Sequence, residues 1–167
     1  MQPNMLVTTG RGEEFAGKLE AAEVLKEAGI GEVEVEETPI KGLLAARVEG
    51  DPVEAVRRVK KLMEERPELF QYTKRYIPLE RTVRTDLEEM KAALRELVHK
   101  IGEDETFRIT VEKRHTQLHT REIIDALAGI VDRKVSLKSP DKVVLVEVFG
   151  ALTGISVIKP DDIASAK

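Results

Sequence analysis

Cysteine is absent from the 167-residue chain, and so is tryptophan. Without Cys there is no disulfide, no thiolate zinc site, no iron–sulfur cluster and no Cys nucleophile, and nothing demands an oxidising compartment. Aromatic residues make up only 4% of the chain, so the core must be built from aliphatic side chains. No long hydrophobic run exists either. The greasiest stretch, residues 143–158, contains Glu147 and is broken by Gly150 and Gly154, too interrupted to span a bilayer. The first residues lack a cationic segment followed by an apolar one, so no signal peptide is expected. These absences predict a cytoplasmic protein without membrane contact.

What is present is 41% apolar and 35% charged residues, the composition of a globular protein with a densely charged surface. The net charge of −4 is unevenly distributed. Residues 1–70 hold 10 Lys and Arg against 15 Asp and Glu, whereas residues 71–167 hold 17 against 16. The length allows one domain or two small ones, and the asymmetry favours two.

The periodicities support that division. A short apolar run, Met5 to Thr9, ends in Gly10-Arg11-Gly12. Phe15, Leu19, Ala22 and Leu25 then fall at helical spacing and predict one buried helix face. Two strands follow, Val33–Val35 with an acidic outer face and Leu43–Val48. Asp51-Pro52-Val53-Glu54 starts a second helix as N-cap, N1 proline and capping-box glutamate. A strand over 72–83 completes the order β-α-β-β-α-β, the ferredoxin-like split βαβ. The second unit opens with Thr85-Asp86-Leu87-Glu88, which resembles a capping box with Thr85 as N-cap, and continues as α-β-α-β-β-β. Its last two strands flank Gly150-Ala151, a two-residue hairpin with glycine first. The expected fold class is α+β, with a ferredoxin-like domain over 1–83 and an α/β domain over 84–167.

Catalytic patterns are missing. Gly10-Arg11-Gly12 lacks the third glycine of a dinucleotide loop, since Phe15 stands there, and no Walker or nucleophile-elbow pattern occurs. His115, His119 and Glu122 have metal-ligand spacing, but that spacing co-locates side chains only on a helix, which is expected to begin at Thr120. No metal, cofactor or catalytic residue is therefore assigned. The remaining signal is basic. Residues 113–121 contain Lys113, Arg114, His115, His119 and Arg121 without an acid, at a strand end leading into a helix N-terminus, a setting that attracts phosphate. Arg133, Lys134 and Lys138 follow. A second group, Lys74, Arg75, Arg81 and Arg84, interleaves with Tyr72 and Tyr76, as in surfaces that stack bases. A plain reading of both groups is a solvated charged surface, with the tyrosines packed on the core.

The run from Phe107-Arg108-Ile109-Thr110-Val111-Glu112-Lys113-Arg114-His115, through Ile123-Ile124-Asp125-Ala126-Leu127, to Val144-Leu145-Val146-Glu147-Val148 and Gly154-Ile155-Ser156 resembles a THUMP domain. The preceding unit and the junction Ile77-Pro78-Leu79-Glu80 resemble the N-terminal part that accompanies THUMP in RNA-modifying proteins. Thr8-Thr9-Gly10 with Glu13-Glu14 resembles the stand-alone branch, an adaptor in tRNA cytidine acetylation. The resemblance implies binding to the acceptor end of tRNA and a separate RNA cytidine acetyltransferase as partner, using acetyl-CoA and ATP. The sequence given ends about nine residues after the last expected strand, so catalysis is expected to be supplied by a separate polypeptide. By position, Lys113, Arg114, His115 and Arg121 should face RNA, with Lys134 and Lys138 beside them. The acidic first unit departs from an all-over RNA-binding surface. Two other classes stay open: a small-molecule-sensing ferredoxin-like regulator, and a small enzyme whose site the sequence does not reveal.

Overall fold

The computed structural model describes residues 1–166, which form two compact units. The first comprises residues 1–79 together with the C-terminal segment from Asp161, and the second residues 80–160.

In the first unit the order is β1 (Met5–Thr9), α1 (Glu14–Glu27), β2 (Val33–Glu37), β3 (Leu43–Val48), α2 (Pro52–Glu65) and β4 (Thr73–Pro78). This is the split-βαβ order read from the sequence. Asp51 caps α2, accepting from the Val53 N–H at 2.9 Å, with Pro52 at the first helical position. The sheet is antiparallel, and both helices pack their small and branched side chains on one face of it. Tyr76 is fully buried there, its ring edge-on to Phe70 at 6.0 Å and its hydroxyl donating to Thr73 at 2.9 Å. The plain reading of that tyrosine is the correct one.

The face of α1 differs from the expectation. Gly17, Ala21, Val24 and Leu25 are buried, whereas Phe15 and Leu19 are 64% and 55% exposed. Gly17 decides this: a Cβ there would lie 2.4 Å from the Thr9 methyl group. The helix therefore approaches β1 along its smallest residues, and the bulky pair is turned outward.

The expected strand over 72–83 is two strands. β4 stops at Pro78, and β5 (Arg81–Arg84) joins the second sheet by pairing with β9 (Leu152–Ile158). The units therefore divide at Leu79–Glu80, earlier than the 83/84 boundary. A second difference lies at the C-terminus. β10 (Ala164–Ser165) pairs antiparallel with β4 as the edge of the first sheet, so residues 161–166 do not belong with the second unit. Arg57 on α2 makes two 3.0 Å hydrogen bonds to Asp162, a side chain only 6% exposed, and Lys60 donates to the Asp161 carbonyl at 2.6 Å.

The second unit continues from β5 with α3 (Leu87–Leu97), β6 (Thr106–Arg114), α4 (Thr120–Ala128), β7 (Lys134–Val135), β8 (Lys142–Phe149) and β9. Its sheet runs β5-β9-β8-β6-β7, with β6 parallel to both β7 and β8. Met90, Leu94 and Leu97 of α3 and Ile123 and Leu127 of α4 pack on Val144, Val146, Ile155 and Val157. Gly150-Ala151 forms the expected two-residue turn, with Gly150 at φ +73° and Phe149 paired to Leu152. Among the described residues no helix is long and apolar enough to cross a membrane.

Candidate nucleic-acid interface

The parallel pair β6 and β8 sets the geometry of the basic loop. Arg114 and Phe149 are register partners at the two carboxyl ends, and the Gly150 N–H donates to the Arg114 carbonyl at 2.9 Å. The loop after β6 and the hairpin after β8 thus leave the sheet side by side. Ligands of open α/β sheets characteristically bind outside the carboxyl ends of parallel strands.

Thr85 secures that end of the unit. Its N–H donates to the Ala151 carbonyl and its hydroxyl to the Gly150 carbonyl, both at 2.8 Å, and the hydroxyl also meets the Thr153 hydroxyl at 2.9 Å. Thr85 is consequently a brace and not the N-cap of α3. The cap is Asp86, which accepts from the Glu89 N–H at 3.0 Å. A shallow cleft opens here, flanked by Arg84, Asp86, His115 and Gln117. Thr85, Asp86 and Gln117 were not among the sequence candidates, because uncharged and acidic residues give no basic signal.

His115 has φ +54°, the one non-glycine residue with positive φ among those described. A left-handed histidine is uncommon and carries backbone strain of roughly 1 kcal/mol, held here by the fastened strand end on one side and the helix start on the other. α4 begins at Thr120, the expected residue. His119 occupies the N-cap position and its N–H donates to Glu122 at 3.0 Å, so Thr120 is the first helical residue. His115 and His119 therefore share no helical turn, and their spacing does not assemble a metal pair.

The candidate cations fall into three groups. Lys113, Arg121, Lys134 and Lys138 are exposed. Arg121 is held 3.8 Å from Asp125 across one helical turn, and Lys113 donates to the Leu118 carbonyl at 3.3 Å, weak ties that leave both heads in solvent. The β7 segment alternates Lys134 and Lys138 with Val135 and Leu137, which are 59% and 72% exposed, and Arg108 donates to the Leu137 carbonyl.

Arg114 forms a group by itself and corrects the expectation of a solvated loop residue. It is the last residue of β6, its side chain is 17% exposed, and its guanidinium lies 2.9 Å from the fully buried Glu147. Glu147 was visible in the sequence as the lone carboxylate inside the apolar run 143–149. Such a residue needs a cation beside it, since an isolated buried charge costs several kcal/mol.

The third group, Lys74, Arg75, Arg81 and Arg84, is divided between the two units. Lys74 and Arg75 belong to β4 of the first unit, and Arg81 and Arg84 to β5 of the second. Arg81 and Arg84 are each 2.6 Å from a carboxylate, Glu96 and Glu89 respectively. Hydrogen bonding to Glu89 holds the Arg84 guanidinium above its ordinary pKa. Arg133, likewise, donates to the Ile101 and Gly102 carbonyls.

Residues 84–158 match the THUMP domain. The THUMP segment begins at Arg84 and ends at Ile158, the last residue of β9, so it covers the whole cleft and the β7 segment. The chain is also similar in fold to PH1313 from Pyrococcus horikoshii Ot3, with 16% identity over 94% of this chain and 55% of that one, at a TM-score of 0.69. TrmN from Thermus thermophilus shares 16% identity over 92% of this chain and 44% of its own, at 0.55. A 4-thiouridine synthetase solved with RNA and bound ATP shares 18% identity over 94% of this chain and 42% of its own, at 0.54. The chain thus spans about half the length of these structures. No curated protein matches the sequence.

Proposed function

We propose that this protein is a non-catalytic tRNA-binding adaptor that presents the acceptor end to a separate RNA cytidine acetyltransferase for N4-acetylcytidine formation. The observation that carries the reading is the THUMP domain over residues 84–158. RNA as ligand is supported by a structural relative that was solved as an RNA complex. The proposed contact surface is the carboxyl end of β6 with the start of α4, where Lys113, His115 and Arg121 are exposed, extended by Lys134 and Lys138. Phosphates would be met by these cations and by the first N–H groups of α4, while the exposed Val135 and Leu137 suit sugar and base contact. Arg114 acts from beneath by fixing the strand end. The acetylation branch of the reading rests on Thr8-Thr9-Gly10 and Glu13-Glu14.

The test is reconstitution. The full chain, a purified RNA cytidine acetyltransferase, tRNA, acetyl-CoA and ATP are combined, and acetylcytidine is measured with each protein omitted in turn. Acetylation that requires both polypeptides is the expected result. Acetylation by this chain alone, or by the enzyme equally well without it, overturns the adaptor role. A gel-shift titration against tRNA with and without its 3′-terminal nucleotides tests the acceptor-end assignment separately.

A further inference from the structure

Helix α1 has two apolar faces, and only one is covered. Phe15, Leu19 and Ala22 stand at i, i+4 and i+7, all exposed, while Gly17, Ala21, Val24 and Leu25 are buried on the other side. The outward stripe is held there by three separate anchors. Gly17 abuts Thr9 too closely for any side chain. The Glu14 carboxylate accepts from the N–H groups of Gly12 and Gly42, at 3.0 and 2.7 Å. The Glu20 carboxylate accepts from the N–H groups of Gln71, Tyr72 and Thr73 and from the Thr73 hydroxyl. With these contacts made, α1 cannot roll to bury Phe15 and Leu19. Single exposed apolar residues are ordinary, but two large ones aligned on a rotationally fixed helix have no role in this unit's own core.

We infer that this stripe is a protein-docking face, which seats in an apolar groove rimmed by lysine and arginine on the catalytic polypeptide. The inference rests on the adaptor reading and names the surface through which the enzyme is engaged. Charge selects the occupant. The stripe sits in the acidic part of the chain, where residues 1–70 hold 10 Lys and Arg against 15 Asp and Glu. A polyanionic RNA is repelled by that excess. A second copy of the chain carries the same excess and is repelled likewise. An apolar groove with a basic rim is attracted by the same charge and takes i, i+4 anchors on a helix in the way helix-in-groove complexes do.

The test uses the full chain carrying Phe15→Ser and Leu19→Ser, compared with wild type in calorimetric titration against the purified acetyltransferase at low and high salt. The expected result is a loss of enzyme affinity of roughly tenfold or more, a wild-type affinity that falls with salt, and unchanged tRNA gel shifts. Equal enzyme binding by both proteins overturns the docking face and leaves the adaptor reading standing. An equal loss of tRNA affinity makes the stripe an RNA contact, and a wild-type dimer that the variant turns into a monomer makes it a self-association face; either result overturns the inference. A wild-type chain that binds no acetyltransferase overturns the adaptor reading and this inference together. Ala22→Arg adds bulk and charge to the same face without removing an apolar side chain, and decides the matter if the double variant melts early.

Discussion

The Arg114 guanidinium lies 2.9 Å from a carboxylate oxygen of Glu147, a side chain with no exposed surface, and so joins the ends of the two central parallel strands of the second sheet. Removing one partner of such a pair strands the other charge, which typically costs 3 kcal/mol or more. Arg114→Glu is therefore expected to lower stability on the order of 3 kcal/mol in urea unfolding. Arg114→Met with Glu147→Met should recover most of that loss. A single Arg114→Glu variant that unfolds like wild type removes the pair from the list of structural supports.

The RNA-facing assignment is better tested at cations that the fold does not use. Reversing Arg121, Lys134 and Lys138 to Glu should leave melting unchanged, because all three heads are exposed. Each lost phosphate contact should flatten the dependence of log affinity on log salt by about 0.7 for single-stranded RNA. Three contacts would remove a slope near −2. Reversal of Lys18 and Lys26 on α1 serves as the control, and parallel losses in the two triple and double variants would mean that binding is diffuse.

Unit one should depend on its returning C-terminal strand. Arg57 is kept above its ordinary pKa chiefly by its hydrogen bonds to Asp162, and these two contacts hold the segment that delivers β10 to β4. Arg57→Ala is expected to cost about 1–2 kcal/mol, less than a buried pair because the arginine is 45% exposed. Deleting residues 161–167 should cost more, since the sheet loses a strand as well. Thermal melts of the two variants should rank in that order.

Alkaline pH should act through Tyr76. Burial pushes its hydroxyl far above the ordinary tyrosine value, so the folded chain keeps this proton while the unfolded chain releases it from about pH 10 upward. Stability is then present in full below that pH and lost as pH rises toward the folded-state value. Tyr76→Phe should be less stable than wild type at neutral pH, through the missing bond to Thr73, and should lose less between pH 9 and 11. Identical alkaline losses in the two proteins would place the titrating group elsewhere.

The parts of this architecture that repeat along the sequence were readable from it. Capping by Asp51 and Pro52 and the Gly150-Ala151 turn are local signals, and the structure realises them. The features set by close approach were not. Nothing in the periodicity of α1 distinguishes Phe15 and Leu19 from core residues until Gly17 is seen against Thr9. Ala164 and Ser165 form a strand only because β4 offers an edge, and two small residues carry no strand pattern of their own. At the candidate interface the basic run was legible, but the division between exposed Arg121 and pair-bonded Arg114 depended on which face of β6 meets Glu147. The register of two strands 35 positions apart, Arg114 against Phe149 among them, is not a local property.

The return of the chain to β4 also orders events during synthesis. The first sheet receives its outer strand only from residues 164–165, made after the whole second unit, so β4 stays an open edge while residues 80–160 are being synthesised. An open edge invites pairing with other chains. Closing it requires bridging residues 80–160, an entropic cost that falls when this stretch is already compact. Nascent chains stalled before residue 161 should therefore be the aggregation-prone species, and folding of residues 80–160 should hasten completion of the first sheet.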